Sequence, residues 1–121
     1  MDFIEETNRR SEQTPVFGYS VAGADPVVVA VRGEIDVSTA PDLSALLNDL
    51  TLFNRSIALD LGAVEFMDSS GLHVLERTLG ALREAGGHLQ ITSASARVRR
   101  VFELSGMDAV LPLPDHDGGA S

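Results

Sequence analysis

Residues 57–72, IALDLGAVEFMDSSGL, constrain this chain's fold more than any other stretch. The run opens with apolar β-formers from Ile57 to Leu61 and passes through a Gly62-Ala63 turn. A second apolar patch, Val64 to Met67, leads into Asp68-Ser69-Ser70-Gly71. From there apolar residues recur at helical spacing, at Leu72, Leu75, Leu79 and Leu82. The pattern predicts a strand giving way to a helix, with two hydroxyls where the helix begins. Helix starts leave backbone N–H groups unpaired, so this junction is the first place to look for function.

The flanking segments fit an alternation of strands and helices. Residues 1–15 are polar and charged, with Phe3-Ile4 the one apolar pair, and read as a flexible N-terminal extension. Val16 to Val21 is a short strand candidate closed by Gly23-Ala24-Asp25-Pro26. Val27 to Val31 is continuous and β-branched, which predicts a strand buried on both faces. Ser38 or Thr39 can cap the next helix, with Pro41 in its first turn and Leu43, Leu46, Leu47 and Leu50 on one face. The helix from Ser70 to about Ala85 closes at Gly86-Gly87, residues suited to a left-handed C-cap. His88 to Thr92 is a strand, Ser93 to Ser95 offer caps, and Val98, Val101 and Phe102 mark the inner side of a third helix. Gly106 stops it, and Val110 to Leu113 reads as a last, edge strand. Residues 114–121 read as a flexible tail, so one α/β domain is expected over 16–113. Its order is β-β-α-β-α-β-α-β, a mixed sheet with helices packed mainly on one face.

Composition narrows the function. A chain of 121 residues with net charge -9 is a poor nucleic-acid binder, because neutralising phosphates supplies most non-specific affinity. The absence of cysteine excludes disulfides, thiol catalysis and cysteine-ligated zinc, and fits a cytoplasmic location. No apolar run approaches the roughly 18 residues that cross a membrane, and no export leader is read at the start.

Three chemistries compete for the junction. A Ser-His-Asp hydrolase would use Asp68, Ser69 and His73, but His73 lies four residues along the same helix and no G-x-S-x-G elbow is present. A metal site would use Asp60, Glu65 and Asp68, yet their order matches neither an EF-hand nor H-E-x-x-H. Phosphorylation suits an exposed serine there better. The N–H groups and dipole of a helix start stabilise a phosphate of about -1.5 to -2, which changes the surface while sparing the fold. The plainer reading makes Ser69 a helix cap, and position alone does not separate the two.

Gly33-Glu34-Ile35-Asp36 and Phe66-Met67-Asp68-Ser69-Ser70-Gly71-Leu72 resemble the two signature stretches of bacterial anti-sigma factor antagonists, which are STAS domains. Ala85-Gly86-Gly87 and the run from Val98 to Met107 are similar as well, and the likeness spans about Val27 to Leu113. The resemblance implies an unphosphorylated form that binds an anti-sigma factor serine/threonine kinase and so releases a sigma factor. It implies phosphorylation at Ser69, which switches binding off, and a PPM-type phosphatase that restores it. The implied partner-binding residues are Asp36, Asp68, Ser69, Ser70 and Gly71. ATP and catalysis would come from the partner, so the chain is expected to be no enzyme and to hold no cofactor or metal. It is also expected to be a monomer when free, with no direct nucleic-acid or membrane contact. Antagonists of this kind carry a helix after the last strand, and residues 114–121 are too short and glycine-rich to supply one. The alternative role is a non-switching accessory or scaffold STAS subunit of a signalling or lipid-transport complex. Against it stands the serine acceptor, which many non-switching relatives would lack. An acidic residue at 36, at the end of a parallel-type strand, is expected to open beside Ser69.

Overall fold

The computed structural model describes residues 3–7 and 17–115. They form β1 (Phe3–Thr7), β2 (Phe17–Ala22), β3 (Val27–Ile35), α1 (Ala40–Phe53), β4 (Ser56–Met67), α2 (Ser69–Glu84), β5 (His88–Ala94) and α3 (Ala96–Ser105), followed by a 3-10 turn at Met107–Ala109. The five strands lie in chain order across one sheet. β1, β2 and β3 form an antiparallel meander, whereas β3, β4 and β5 run parallel and are linked by α1 and α2. The mixed α/β architecture expected from the sequence is therefore present.

Burial alternates along β3 and β5, which shows that one sheet face carries the core. Val27, Val29, Val31 and Ile35 of β3 are buried, and so are Leu89 and Ile91 of β5. Their neighbours Val28, Gln90 and Thr92 are exposed. Leu43 and Leu47 of α1, Leu75 and Leu82 of α2, and Val98 and Phe102 of α3 complete the same apolar cluster. Val27 to Val31 is thus half-buried, with one face inward, and not enclosed on both faces as its β-branched run predicts.

Three further expectations are corrected. Phe3–Thr7, placed in a loose extension by its polarity, pairs antiparallel with β2, Phe3 opposite Ala22 and Thr7 opposite Gly18. Residues 1–2, 8–16 and 116–121 lie outside the described residues, including most of that extension and most of the expected tail. Gly62-Ala63 is no turn: β4 runs unbroken from Ser56 to Met67 and absorbs the irregularity as shifts of register against β3 and β5. Val110 to Leu113 forms no strand. After Gly106 in the left-handed region (φ 80°) the chain turns through Met107–Ala109 and buries Leu111 in the core, so its apolar residues serve packing and not pairing. With that strand gone β5 is the last strand, and α3 is the helix that follows it.

The helix ends follow their local chemistry. α2 closes in a Schellman motif: Gly87 N–H donates to Leu82 O (2.6 Å) and Gly86 N–H to Arg83 O (3.1 Å), with Gly86 at φ 77°. Ser95 Oγ caps α3 by accepting from Val98 N (3.2 Å).

Candidate functional site

β3 and β4 are parallel, and Ile35 pairs with Met67 as each strand ends. The next residues, Asp36 and Asp68, therefore leave the sheet side by side. A backbone bond from Asp68 N to Ile35 O (3.2 Å) ties the two loops together. Parallel strand ends at one sheet edge are where α/β folds gather functional groups.

Asp68 is the N-cap of α2, and its Oδ1 accepts from Ser70 N at 2.8 Å. Ser69 is consequently the first residue inside the helix and not its cap. It is exposed, and its hydroxyl makes no hydrogen bond to any described residue. Three neighbouring residues could have capped this helix, and the carboxylate does so. A free hydroxyl is left at the positive end of a 16-residue helix.

On the other loop Asp36 organises its own turn. Its Oδ1 accepts from Ser38 Oγ (2.7 Å), Ser38 N (2.9 Å) and Thr39 N (3.1 Å). The Ser38 hydroxyl bond, opposed by partial burial and aided by the two N–H groups, holds the Asp36 carboxyl below its ordinary range. Thr39 is buried, and its hydroxyl donates to Glu34 O (2.8 Å) while accepting from Asp36 N (2.9 Å). Thr39 occupies the N-cap position of α1, but its side chain staples the preceding loop instead of capping the helix. Polar satisfaction at this level leaves the Asp36 loop preformed.

Ser70 is half-buried and lines a groove of about 540 Å³ between α1 and α2, with Val37, Ser44, His73 and Arg77. Gly71, grouped by resemblance with the partner-binding residues, is buried. A Cβ there would lie 2.8 Å from Ile35 Cγ2 and 3.0 Å from Met67 Cγ, so the glycine lets α2 settle onto the strand ends and presents no surface. Exposed Val37 on the Asp36 loop and Phe66 at the end of β4 flank the site. Their sequence signal is weak, since Phe66 sits in an apolar patch that reads as core and Val37 is a lone apolar residue between Asp36 and Ser38. Among the described residues no three His, Cys, Asp or Glu side chains are grouped to hold a metal ion. His73 is exposed one turn into α2 and is not hydrogen-bonded to Ser69. No described helix is long and apolar enough to cross a membrane.

The STAS domain family model matches residues 19–118, and the chain belongs to that family. The anti-sigma-B factor antagonist of Staphylococcus aureus is 39% identical over 80 residues, 65% of this chain and 74% of that protein. The Bacillus subtilis protein of the same name is 32% identical over 87 residues, 72% of this chain and 80% of that one. Among solved structures, an anti-sigma factor antagonist from Mycobacterium paratuberculosis superposes with a TM-score of 0.73 at 34% identity, covering 84% of this chain and 88% of the other. The antagonist SpoIIAA in its unphosphorylated form shares the fold, with a TM-score of 0.69 at 22% identity over 81% of this chain and 89% of that one.

Proposed function

We propose that this chain, an anti-sigma factor antagonist, is switched by phosphate at Ser69. Unphosphorylated, it binds an anti-sigma factor serine/threonine kinase and frees the sigma factor that the kinase had held. The kinase supplies ATP and transfers the γ-phosphoryl group to Ser69 Oγ, whose proton passes to the kinase. A PPM-type phosphatase hydrolyses the phosphoserine and restores the binding form. The chain itself acts as a regulatory binding protein and a substrate, in the cytoplasm, and is monomeric when free.

One observation carries this reading: Asp68 caps α2, so the Ser69 hydroxyl stands exposed and unengaged at the helix mouth. A phosphate there meets the positive end of the helix dipole but lies beside the Asp68 and Asp36 carboxylates. The added charge turns a mildly acidic contact surface into a strongly anionic one, which repels a partner that fitted the neutral hydroxyl. Asp36 and Asp68 form the polar part of the contact, and Ser70 lies at its edge toward the α1–α2 groove.

The test is phosphorylation by the anti-sigma kinase with ATP, read by mass spectrometry. Wild-type protein is expected to gain one phosphate at Ser69. Ser69→Ala is expected to gain none while binding the kinase with affinity within a few-fold of wild type. Equal labelling of Ser69→Ala rules the assignment out.

A further inference from the structure

We infer that the groove between the end of β4 and α3 is a second contact surface for the kinase partner, built to take an acidic segment bearing an apolar side chain. The inference rests on the switch reading above and names the chemistry that the partner brings. Phe66, Met67, Arg97, Arg100, Val101 and Leu104 line the groove, which holds about 250 Å³. The four α3 residues follow the i, i+3, i+4, i+7 spacing of a single helix face. That face differs from the one on which Val98 and Phe102 enter the core.

Two properties mark the groove as a surface awaiting a partner. The first is apolar exposure: Leu104 is 76% exposed and Phe66 42%, although both are large. The second is charge. On a chain of net charge -9, three of the nine basic residues lie on α3. Arg99 donates to Pro114 O and Asp115 O, but Arg97 and Arg100 are exposed and make no hydrogen bond or ion pair with any described residue. Arg97 also lies in the first turn of α3, at the positive end of that helix, where no acidic residue offsets it. A cation is unfavourable there, and an acidic side chain would serve the fold better. The fold therefore gives no reason for Arg97, and complementarity to an acidic partner does.

Position joins this groove to the switch. Phe66 and Met67 are the last residues of β4, immediately before Asp68-Ser69. β5 pairs with β4 only as far as Leu61, and α3 packs chiefly on β4. A partner reaching Ser69 from the strand ends finds the groove contiguous with the Asp68 loop. Arginines at a contact rim act mainly by steering encounter and fixing register.

The helix dipole makes the test independent of misfolding, because Arg97→Glu is expected to leave Tm unchanged or raise it. Arg97→Glu, Arg100→Glu and Leu104→Ser are each compared with wild type for binding to the purified anti-sigma kinase, for phosphorylation at Ser69, and for Tm. Each charge reversal is expected to lower the association rate about tenfold and to flatten its salt dependence, at undiminished Tm. Leu104→Ser is expected to speed dissociation. If wild type is bound and labelled at Ser69 while both reversals associate within about twofold of it, the inference is overturned and the switch stands. If wild type is not labelled at Ser69, the switch reading itself fails. A Leu104→Ser variant altered only in self-association, read by sedimentation, assigns the groove to a second copy and overturns the inference.

Discussion

Asp68 and Asp36 hold equivalent places after paired strands, yet their carboxylates do different work. Asp68 directs one oxygen to the helix amide of Ser70, and this leaves the Ser69 hydroxyl unengaged. Asp36 spends its oxygen on its own loop, taking the hydroxyls of Ser38 and Thr39 and two amides. The second role gives the loop a pH dependence of defined sign. The folded state holds the Asp36 carboxyl below its ordinary value, first through the Ser38 hydroxyl, so it favours the ionised form. The folded protein then binds fewer protons than the unfolded chain across the interval between the two pKa values. The contribution is full above the ordinary carboxylate range and is lost as pH falls through the lowered folded value. Wild type is expected to exceed Asp36→Asn in stability at neutral pH, the difference vanishing at the acid end. Denaturant titrations of both proteins across pH 2–7 (roughly the carboxylate range) measure it. A constant difference over that range contradicts the assignment.

Elements were legible where one period dominated a segment. α1, α2 and α3 carry apolar stripes, Gly86-Gly87 and Gly106 close the last two, and β3 and β5 are runs of β-formers between turn residues. What escaped depended on contacts distant in sequence. Phe3–Thr7 is short and charged, and only the free edge of β2 makes it a strand. Gly62-Ala63 has the composition of a turn, but pairing of β4 with β3 resumes at Ala63 and converts it into a bulge. Val110 to Leu113 has strand composition, but burying Leu111 in the core and packing Leu113 against it takes the segment away from the free edge of β5. At the site, the residue types and their proximity were readable, but the choice of cap was not, because three candidates stand in a row. Gly71 illustrates the same limit: its identity suggests surface flexibility, while its place is an interlock between α2 and the ends of β3 and β4. Gly71→Ala would press a methyl into Ile35 and Met67, and is expected to destabilise by about 1–3 kcal/mol. Thermal unfolding reads that loss. Because the same shift lifts the start of α2, phosphorylation at Ser69 is expected to slow as well.

Across the whole molecule, the proposed switch has to alter binding without altering the fold, and the architecture separates the two. The core lies between one sheet face and three helices, whereas Ser69 projects from the sheet edge where β3 and β4 end. Adding phosphate there disturbs no buried contact and breaks no hydrogen bond to a described residue. Two electrostatic effects then oppose each other. The start of α2 attracts the phosphate, with a stabilisation of about 0.3–1 kcal/mol for a charge at an exposed helix end. Asp68, Asp36 and the net charge of -9 repel it. Near-cancellation leaves phosphorylated and unphosphorylated protein within about 1 kcal/mol of one another. Their Tm values are expected to agree within a few degrees and their hydrodynamic radii to coincide, while affinity for the kinase falls about a hundredfold or more. Calorimetry, sedimentation and titration on stoichiometrically phosphorylated protein measure all three. Loss of affinity together with a large fall in Tm would mean that the phosphate acts by unfolding the helix mouth, and repulsion at an intact surface would be ruled out as the mechanism.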